Sequence, residues 1–398
     1  MRGKLAALLL AGLIAGCGGD DDAAVAGAPK TLPPLGAPSC VRGAVPVTTA
    51  DAVAKNLRDG KDVCVTAPIG DLVLDDGLGS SNMEHLGTSG EGSIGHIELD
   101  GAKDLTIRAR LRSIRIDDSE DIVLERSVIG GTETERTLDN LIQLVDTADG
   151  TEGIVIRDND IGFTCADNSG DTGYGIRAYG ENDDLLILRN RIHDLGADGI
   201  QGVGGEGVVI DRNEIGPVGN CPGSTEHSDN IQITGARGLR ITNNWLHHNG
   251  CFAGRCDSNA GAIYVHGGSE NVRIENNLLT DNRGRFEVCD LGSGGASASN
   301  ITIRRNTSYA NGHAGLAGVE WDCDGGTGNV IERNVMVDRR GGFDMAGRPN
   351  SVTVRQNVTG RPSAVRLDAN GNCRSRNCRG IGFRKPRGVH WKPRLNTR

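Results

Sequence analysis

Four short stretches carry the fold: IRDNDI (156–161), ILRNRI (187–192), IDRNEI (210–215) and ITNNWL (241–246). Each is an aliphatic residue, two polar residues, an asparagine and, two places on, another aliphatic residue. The pattern returns, less strictly, as IENNLL (274–279), IRRNTS (303–308), IERNVM (331–336) and VRQNVT (354–359). Its asparagines are Asn159, Asn190, Asn213, Asn244, Asn277, Asn306, Asn334 and Asn357, spaced by 23 to 33 residues. IVLERSVI (122–129) reads as an earlier turn with Ser127 in the asparagine place. A repeat of this length is the mark of a solenoid, in which each unit buries its apolar face only against its neighbours.

A second apolar column follows each turn: Ile142, Ile176, Ile200, Ile231, Ile263, Phe286, Leu316 and Phe343. Each unit therefore holds at least two short β-branched strands separated by Gly, Asn and Asp bends, and their alternation is that of strands. The expected fold class is all-β, with parallel sheets whose neighbouring coils lie about 4.8 Å apart. Asparagine at one position of every unit is expected to accept the left-handed bend and to bond its amide from coil to coil.

Composition agrees. Of 398 residues, 60 are glycine and only 12 are aromatic, which argues against a core of large side chains. The net charge is −9, but residues 369–398 hold nine Lys/Arg and no acid, leaving 34 bases to face 52 acids elsewhere. So acidic a body disfavours nucleic acid as a partner.

Residues 1–16 read as an export signal, with Arg2 and Lys4 before a short apolar run. The run ends in Leu13-Ile14-Ala15-Gly16-Cys17, which resembles the lipobox of bacterial lipoproteins. The resemblance implies cleavage before Cys17, lipidation of its thiol and a membrane anchor outside the cytoplasm, in the cell envelope. Residues 17–43 are expected to form a flexible tether. The remaining ten cysteines are Cys40, Cys64, Cys165, Cys221, Cys251, Cys256, Cys289, Cys323, Cys373 and Cys378. An even count in an exported chain favours five disulfides, paired in chain order; no CxxC spacing favours zinc.

On these motifs the chain resembles the right-handed parallel β-helix superfamily, pectate-lyase-like in fold, over about residues 44–366. TTADAVAKNLRDGKDVCV (48–65) is similar to that family's capping helix, with Thr48 or Thr49 as N-cap and Val53 and Leu57 on one face. The irregular basic tail, 367–398, is expected to cover the other end. The family commonly binds an extended polysaccharide along one exposed sheet, so the protein is expected to act on such a glycan, as a monomer and as a lyase or glycoside hydrolase. The alternative is a non-catalytic envelope glycan-binding or structural protein.

If the second-column aliphatics point inward, an outward row reads Gln143, Arg177, Gln201, Gln232, Tyr264, Glu287, with Tyr179, Val203, Thr234, His266 and Cys289 beside it. ADGIQ (197–201) and SDNIQ (228–232) match closely, which would stack Asp198 on Asp229. Two carboxylates that close would share a proton or hold a cation. Asp229, His227, Asp198, Tyr264 and His266 are therefore the candidate catalytic residues. Arg177, Gln201, Gln232, Glu287 and Tyr179 are the candidate substrate-binding residues, and Asp198, Asp229 and Glu226 a candidate Ca2+ site. His247 and His248 read as loop residues, whereas Trp245 and Trp321 suit sugar stacking or core packing equally. Neither the DPHE motif of mannuronan epimerases nor the NTD, DD, GHG, RIK series of polygalacturonases is present. There is also no lysine between Lys103 and Lys385 to act as a lyase base.

Overall fold

The computed structural model describes residues 35–393 apart from 76–82, 146–150, 167–171, 203, 222–227, 251–260, 267, 283–285, 289–297, 310–318, 322–325, 338–342, 345–351 and 362–364. The export signal, Cys17, Glu226, His227 and Cys251, Cys256, Cys289 and Cys323 lie outside the described residues.

Each coil contributes one strand to each of three parallel sheets. The first sheet runs from Val45–Val47 to Val352–Arg355 through thirteen described strands. The second, entered after the asparagine turn, runs from Pro68–Ile69 to Val358–Thr359. The third runs from Leu72–Leu74 to Phe343–Asp344. In the early coils, Ser93–Asp100 and Arg110–Asp117 are long strands serving both the second and third sheets. The chain is thus an all-β, right-handed parallel β-helix.

The register stacks like on like. In the first sheet Ile107, Leu124, Ile156, Ile187, Ile210, Ile241, Ile274, Ile303 and Ile331 form one continuous column, all wholly buried. Burying such a side chain contributes roughly 1.5–3 kcal/mol, which is how a chain poor in aromatics still builds a core. At the open first coil, helix Ala50–Arg58 is capped by Thr49, whose hydroxyl accepts the N–H of Ala52, and it buries Val53 and Leu57. The helix shields strand edges that would otherwise be open to pairing.

The asparagines form one continuous ladder. Asn213 gives both its backbone N–H and its amide N–H to Asn244 Oδ1, at 2.8 and 3.1 Å. Asn244 in turn donates to Asn277 Oδ1 at 3.0 Å and, backwards, to the carbonyl of Ile210 at 2.9 Å. The same set of bonds links Asn159 to Asn357 without a break, and Ser127 starts it by donating its N–H to Asn159 Oδ1. One expectation is corrected. The left-handed residue is the one before each asparagine, from Asp158 (φ 57°) and Arg189 (φ 54°) to Gln356 (φ 54°). That bend turns the asparagine amide into the core, where it bonds.

Two further expectations change at the termini. Residues 35–43 are not free tether: Gly36 N–H donates to the carbonyl of Asp158, and Cys40 is disulfide-bonded to Cys64. Two more disulfides, Cys165–Cys221 and Cys373–Cys378, also follow chain order. The described residues of the basic tail do not cap the far end as expected but run back along the second sheet. Gly382 N–H meets the carbonyl of Arg333, Arg384 exchanges two bonds with the side chain of Asn276, and His390 Nε2 reaches Asp158 Oδ1 at 3.4 Å. The reason is apolar. Phe383 and Trp391 pack with Trp245 and Leu278, which the second sheet presents outward.

Replacing Asn244 by leucine removes the acceptor of two Asn213 donors and the donor to Ile210. At about 1–3 kcal/mol per orphaned buried group, Asn244→Leu is expected to destabilise the protein by about 3 kcal/mol or more, read by denaturant or thermal unfolding. Unchanged stability would refute the ladder's role.

Candidate functional site

The third sheet presents the polar row that the sequence outlines. Gln143, Arg177, Gln201, Gln232, Tyr264 and Glu287 are consecutive register partners, one per coil. Arg115 extends the row before Gln143, and Glu320 and Asp344 continue it after Glu287 along the backbone. The residues before them, Ile142, Ile176, Ile200, Ile231 and Ile263, are wholly buried, so strand alternation sends the row to the outer face. Its members stand roughly 4.8 Å apart.

Side-chain contacts tie the row together. The guanidinium of Arg177 lies 4.4 Å from the ring centre of Tyr174 and 4.7 Å from that of Tyr179, a cation between two aromatic faces. Tyr179 is 37% exposed. Gln201 Nε2 donates to Gln232 Oε1 at 3.1 Å. Gln232 Nε2 lies 2.8 Å from His266 Nε2 and donates to it, which assigns the ring hydrogen of His266 to Nδ1. The rings of Tyr264 and His266 meet edge to face, with centres 4.5 Å apart. The arrangement offers a fixed cation, a chain of amides and an imidazole–phenol pair along one line. Of the expected substrate-binding residues, Arg177, Gln201, Gln232 and Tyr179 fall on this face, as does the backbone of Glu287; Val203 and Cys289 lie outside the described residues.

Asp198 and Asp229 do stand on adjacent coils, but neither reaches solvent: both are 0% exposed. Asp198 Oδ1 accepts the N–H of Asp229 at 2.7 Å, and Asp229 Oδ1 accepts the N–H of Gly261. Their carboxylates are rungs between coils, doing for this turn what asparagine does for the other. The expected acid–base pair is corrected accordingly, because a carboxylate bonded to the next coil's N–H and shut off from water meets no substrate; of the expected Ca2+ site, Glu226 lies outside the described residues. Among the described residues no group of three or more His, Cys, Asp or Glu gathers in a way that could hold a metal ion.

The second sheet holds chemistry that sequence reasoning passed over. His247 is no loop residue; it ends strand Trp245–His247 and is buried. Trp245 is nearly buried beneath the tail and Trp321 lies in the core. His193, 2% exposed, sits between two carboxylates, with Nε2 2.9 Å from Asp160 Oδ1 and Nδ1 2.7 Å from Asp194 Oδ2. Burial opposes its charge, but the bonds to Asp160 and Asp194 prevail and raise its pKa above the ordinary histidine value. Burial likewise works against the Asp160 carboxylate, and His193 outweighs it, lowering its pKa; the bond to His193 lowers that of Asp194. The only sequence signal was a histidine in the position after an inward Ile192, visible once the register is known.

Residues 113–295 match the family model described as right handed beta helix region. Among solved structures, the chain is similar to the Dettilon tailspike protein at 13% identity, over 77% of this chain and 64% of that one, with a TM-score of 0.45. It is similar to a PL6 family alginate lyase at 11% identity, over 89% and 59%, TM-score 0.42. A third likeness is to the periplasmic alginate epimerase AlgG at 12% identity, over 79% and 83%, TM-score 0.36. The chain thus spans less than two thirds of the tailspike and lyase chains. Among curated proteins none matches it.

Two outcomes are expected. Asp198→Ala strands the buried N–H of Asp229, so it should cost about 1–3 kcal/mol of stability while leaving glycan binding unchanged. A pull-down on immobilised glycan beside an unfolding curve checks both. For the His193 cluster, the raised histidine adds stability below about pH 6.5 that is lost as pH rises through its folded pKa. The lowered carboxylates add stability above about pH 4 that is lost in acid. Stability should therefore peak between these limits, and His193→Gln should flatten the alkaline side of a stability–pH profile.

Proposed function

We propose that the protein is exported, held at the cell envelope through a lipid on Cys17, and binds an extended acidic polysaccharide along the third sheet. The observation that carries this reading is the continuous outward row Arg177–Gln201–Gln232–Tyr264, with His266 bonded into it. One polar side chain per coil suits a chain of sugar units laid along the helix axis, each meeting one rung. Arg177 would hold a uronate carboxylate, the glutamines would exchange bonds with hydroxyls, and Tyr179 would offer a ring face. The three disulfides among the described residues suit an oxidising compartment.

Binding is the better-supported half of this reading. A hydrolase working through Asp198 and Asp229 has lost its basis, since both are buried rungs. An eliminating enzyme is the second reading, favoured by the Tyr264–His266 contact, which would put an imidazole beside one sugar with the largely buried Tyr264 phenol against it. Elimination needs a base to take the proton next to the carboxylate and an acid to protonate the departing oxygen. Arg177 stands three coils from Tyr264, about 14 Å along the axis. It would therefore steady a neighbouring sugar rather than neutralise the carboxylate at the reacting one. Within this reading Gln232, between them, is the nearer donor.

Anchor-free protein is to be tested on polyuronates and neutral glycans, with and without chelator. Polyuronate binding is expected. Arg177→Ala should weaken it about tenfold, equivalent to about 1.4 kcal/mol, and leave any neutral-glycan binding alone. Products with an ultraviolet-absorbing double bond, lost in Tyr264→Phe, would mark elimination; binding without turnover would mark a glycan-binding protein. Failure to bind any polyuronate, or indifference to Arg177→Ala, would end the proposal.

A further inference from the structure

Three successive coils of the second sheet face the returning tail with Arg191, Glu214 and Trp245, which are register partners. Their neighbours Ile192, Ile215 and Leu246 are wholly buried, so alternation turns these three outward. Together with His247, His248 and the tail residue Lys392 they line a cavity of about 780 Å3. Small-molecule sites span roughly 300–1,000 Å3. Gly216 lets the two coils approach here: its φ is 134°, and a Cβ there would strike the carbonyl of His247.

The lining divides by charge. Arg191, whose side chain is 45% exposed and 3.8 Å from Asp160, and the exposed Lys392 bring two permanent cations. Glu214 and His247 are more enclosed, at 19% and 8% side-chain exposure. His247 Nε2 is buried without a hydrogen bond, with Glu214 Oε1 3.6 Å away. A buried polar atom left so is costly, and a ligand hydroxyl set beside the pair, within reach of both, would satisfy both. His247 Nδ1 lies 2.9 Å from His248 Nδ1, so a hydrogen is shared on that side and Nε2 is the atom left for a ligand. Trp245 is held as a fixed wall: its indole N–H donates to Thr280 Oγ1 at 3.0 Å and the His247 ring stacks on it at 4.0 Å. The tail keeps the arrangement covered through Trp391, whose ring centre is 6.1 Å from that of Trp245.

A simple inorganic anion matches only the cations and is repelled by Glu214. A neutral sugar matches only the enclosed end. We propose that the cavity binds a carboxylated sugar, its carboxylate between Arg191 and Lys392 and a hydroxyl bridging Glu214 and His247 from beside them. The site lies on a different sheet from the glycan groove and does not rest on that reading.

The test uses the full chain, titrated separately with glucuronate, glucose and sulfate while tryptophan emission is followed, since Trp245 forms a wall and Trp391 packs on it. Glucuronate is expected to change the emission saturably, with glucose and sulfate each at least tenfold weaker. Arg191→Gln with Lys392→Gln, both at exposed positions, should weaken glucuronate tenfold or more with the far-ultraviolet circular dichroism unchanged. Arg177→Ala, on the groove, should leave this titration unmoved, so the two sites fail separately. Sulfate binding as well as glucuronate, no response to glucuronate, indifference to the double variant, or loss in Arg177→Ala would each overturn the proposal.

Discussion

A coil of this chain satisfies its backbone only by lying one strand spacing above its predecessor, and the asparagine amides lock that spacing from inside. From Asn190 onward each Asn oxygen accepts two bonds from the coil before it, and each Asn nitrogen returns one to that coil's carbonyl, as Asn213, Asn244 and Ile210 illustrate. Buried amides of this kind are tolerable only when every bond is made. The ladder therefore specifies the register as well as adding stability, and with the register it specifies which side chains share a row.

Rows are what the molecule has to work with. Inward rows are Ile, Leu and Val stacked on themselves, whereas outward rows are where chemistry can differ from coil to coil. The third sheet uses this freedom for a line of amides ending at Tyr264 and His266. The second sheet uses it for Arg191, Glu214 and Trp245, and then draws the tail back over them through Phe383 and Trp391. That return makes the two sheets unequal. One keeps a half-buried polar face, and the other borders a partly open cavity, one wall of which comes from residues about 150 positions away in the chain.

Much of this was legible beforehand, and for a physical reason. Stacking forces like residues into columns, so the repeat names the coil, the core and the order Gln143, Arg177, Gln201, Gln232, Tyr264 without any knowledge of contacts. The capping helix was legible because Thr49, Val53 and Leu57 obey local rules. The left-handed position was misjudged by one residue, because the bend that aims an amide inward precedes it. Asp198 and Asp229 were misjudged more seriously. Spacing puts two carboxylates on adjacent coils, but it does not say whether their oxygens meet water or the next N–H.

Periodicity in the amino-acid order was enough to establish the winding, the apolar columns and the membership of the outward rows, since these follow from repeated local preference. Burial of the paired aspartates, the return of the tail, the enclosure around Glu214 and His247, and the placement of His193 between Asp160 and Asp194 came only with folding. Each of those depends on which surface a turn or a distant segment covers. That is settled by competition among apolar faces and hydrogen-bond partners far apart in the chain, where no local repeat records the outcome.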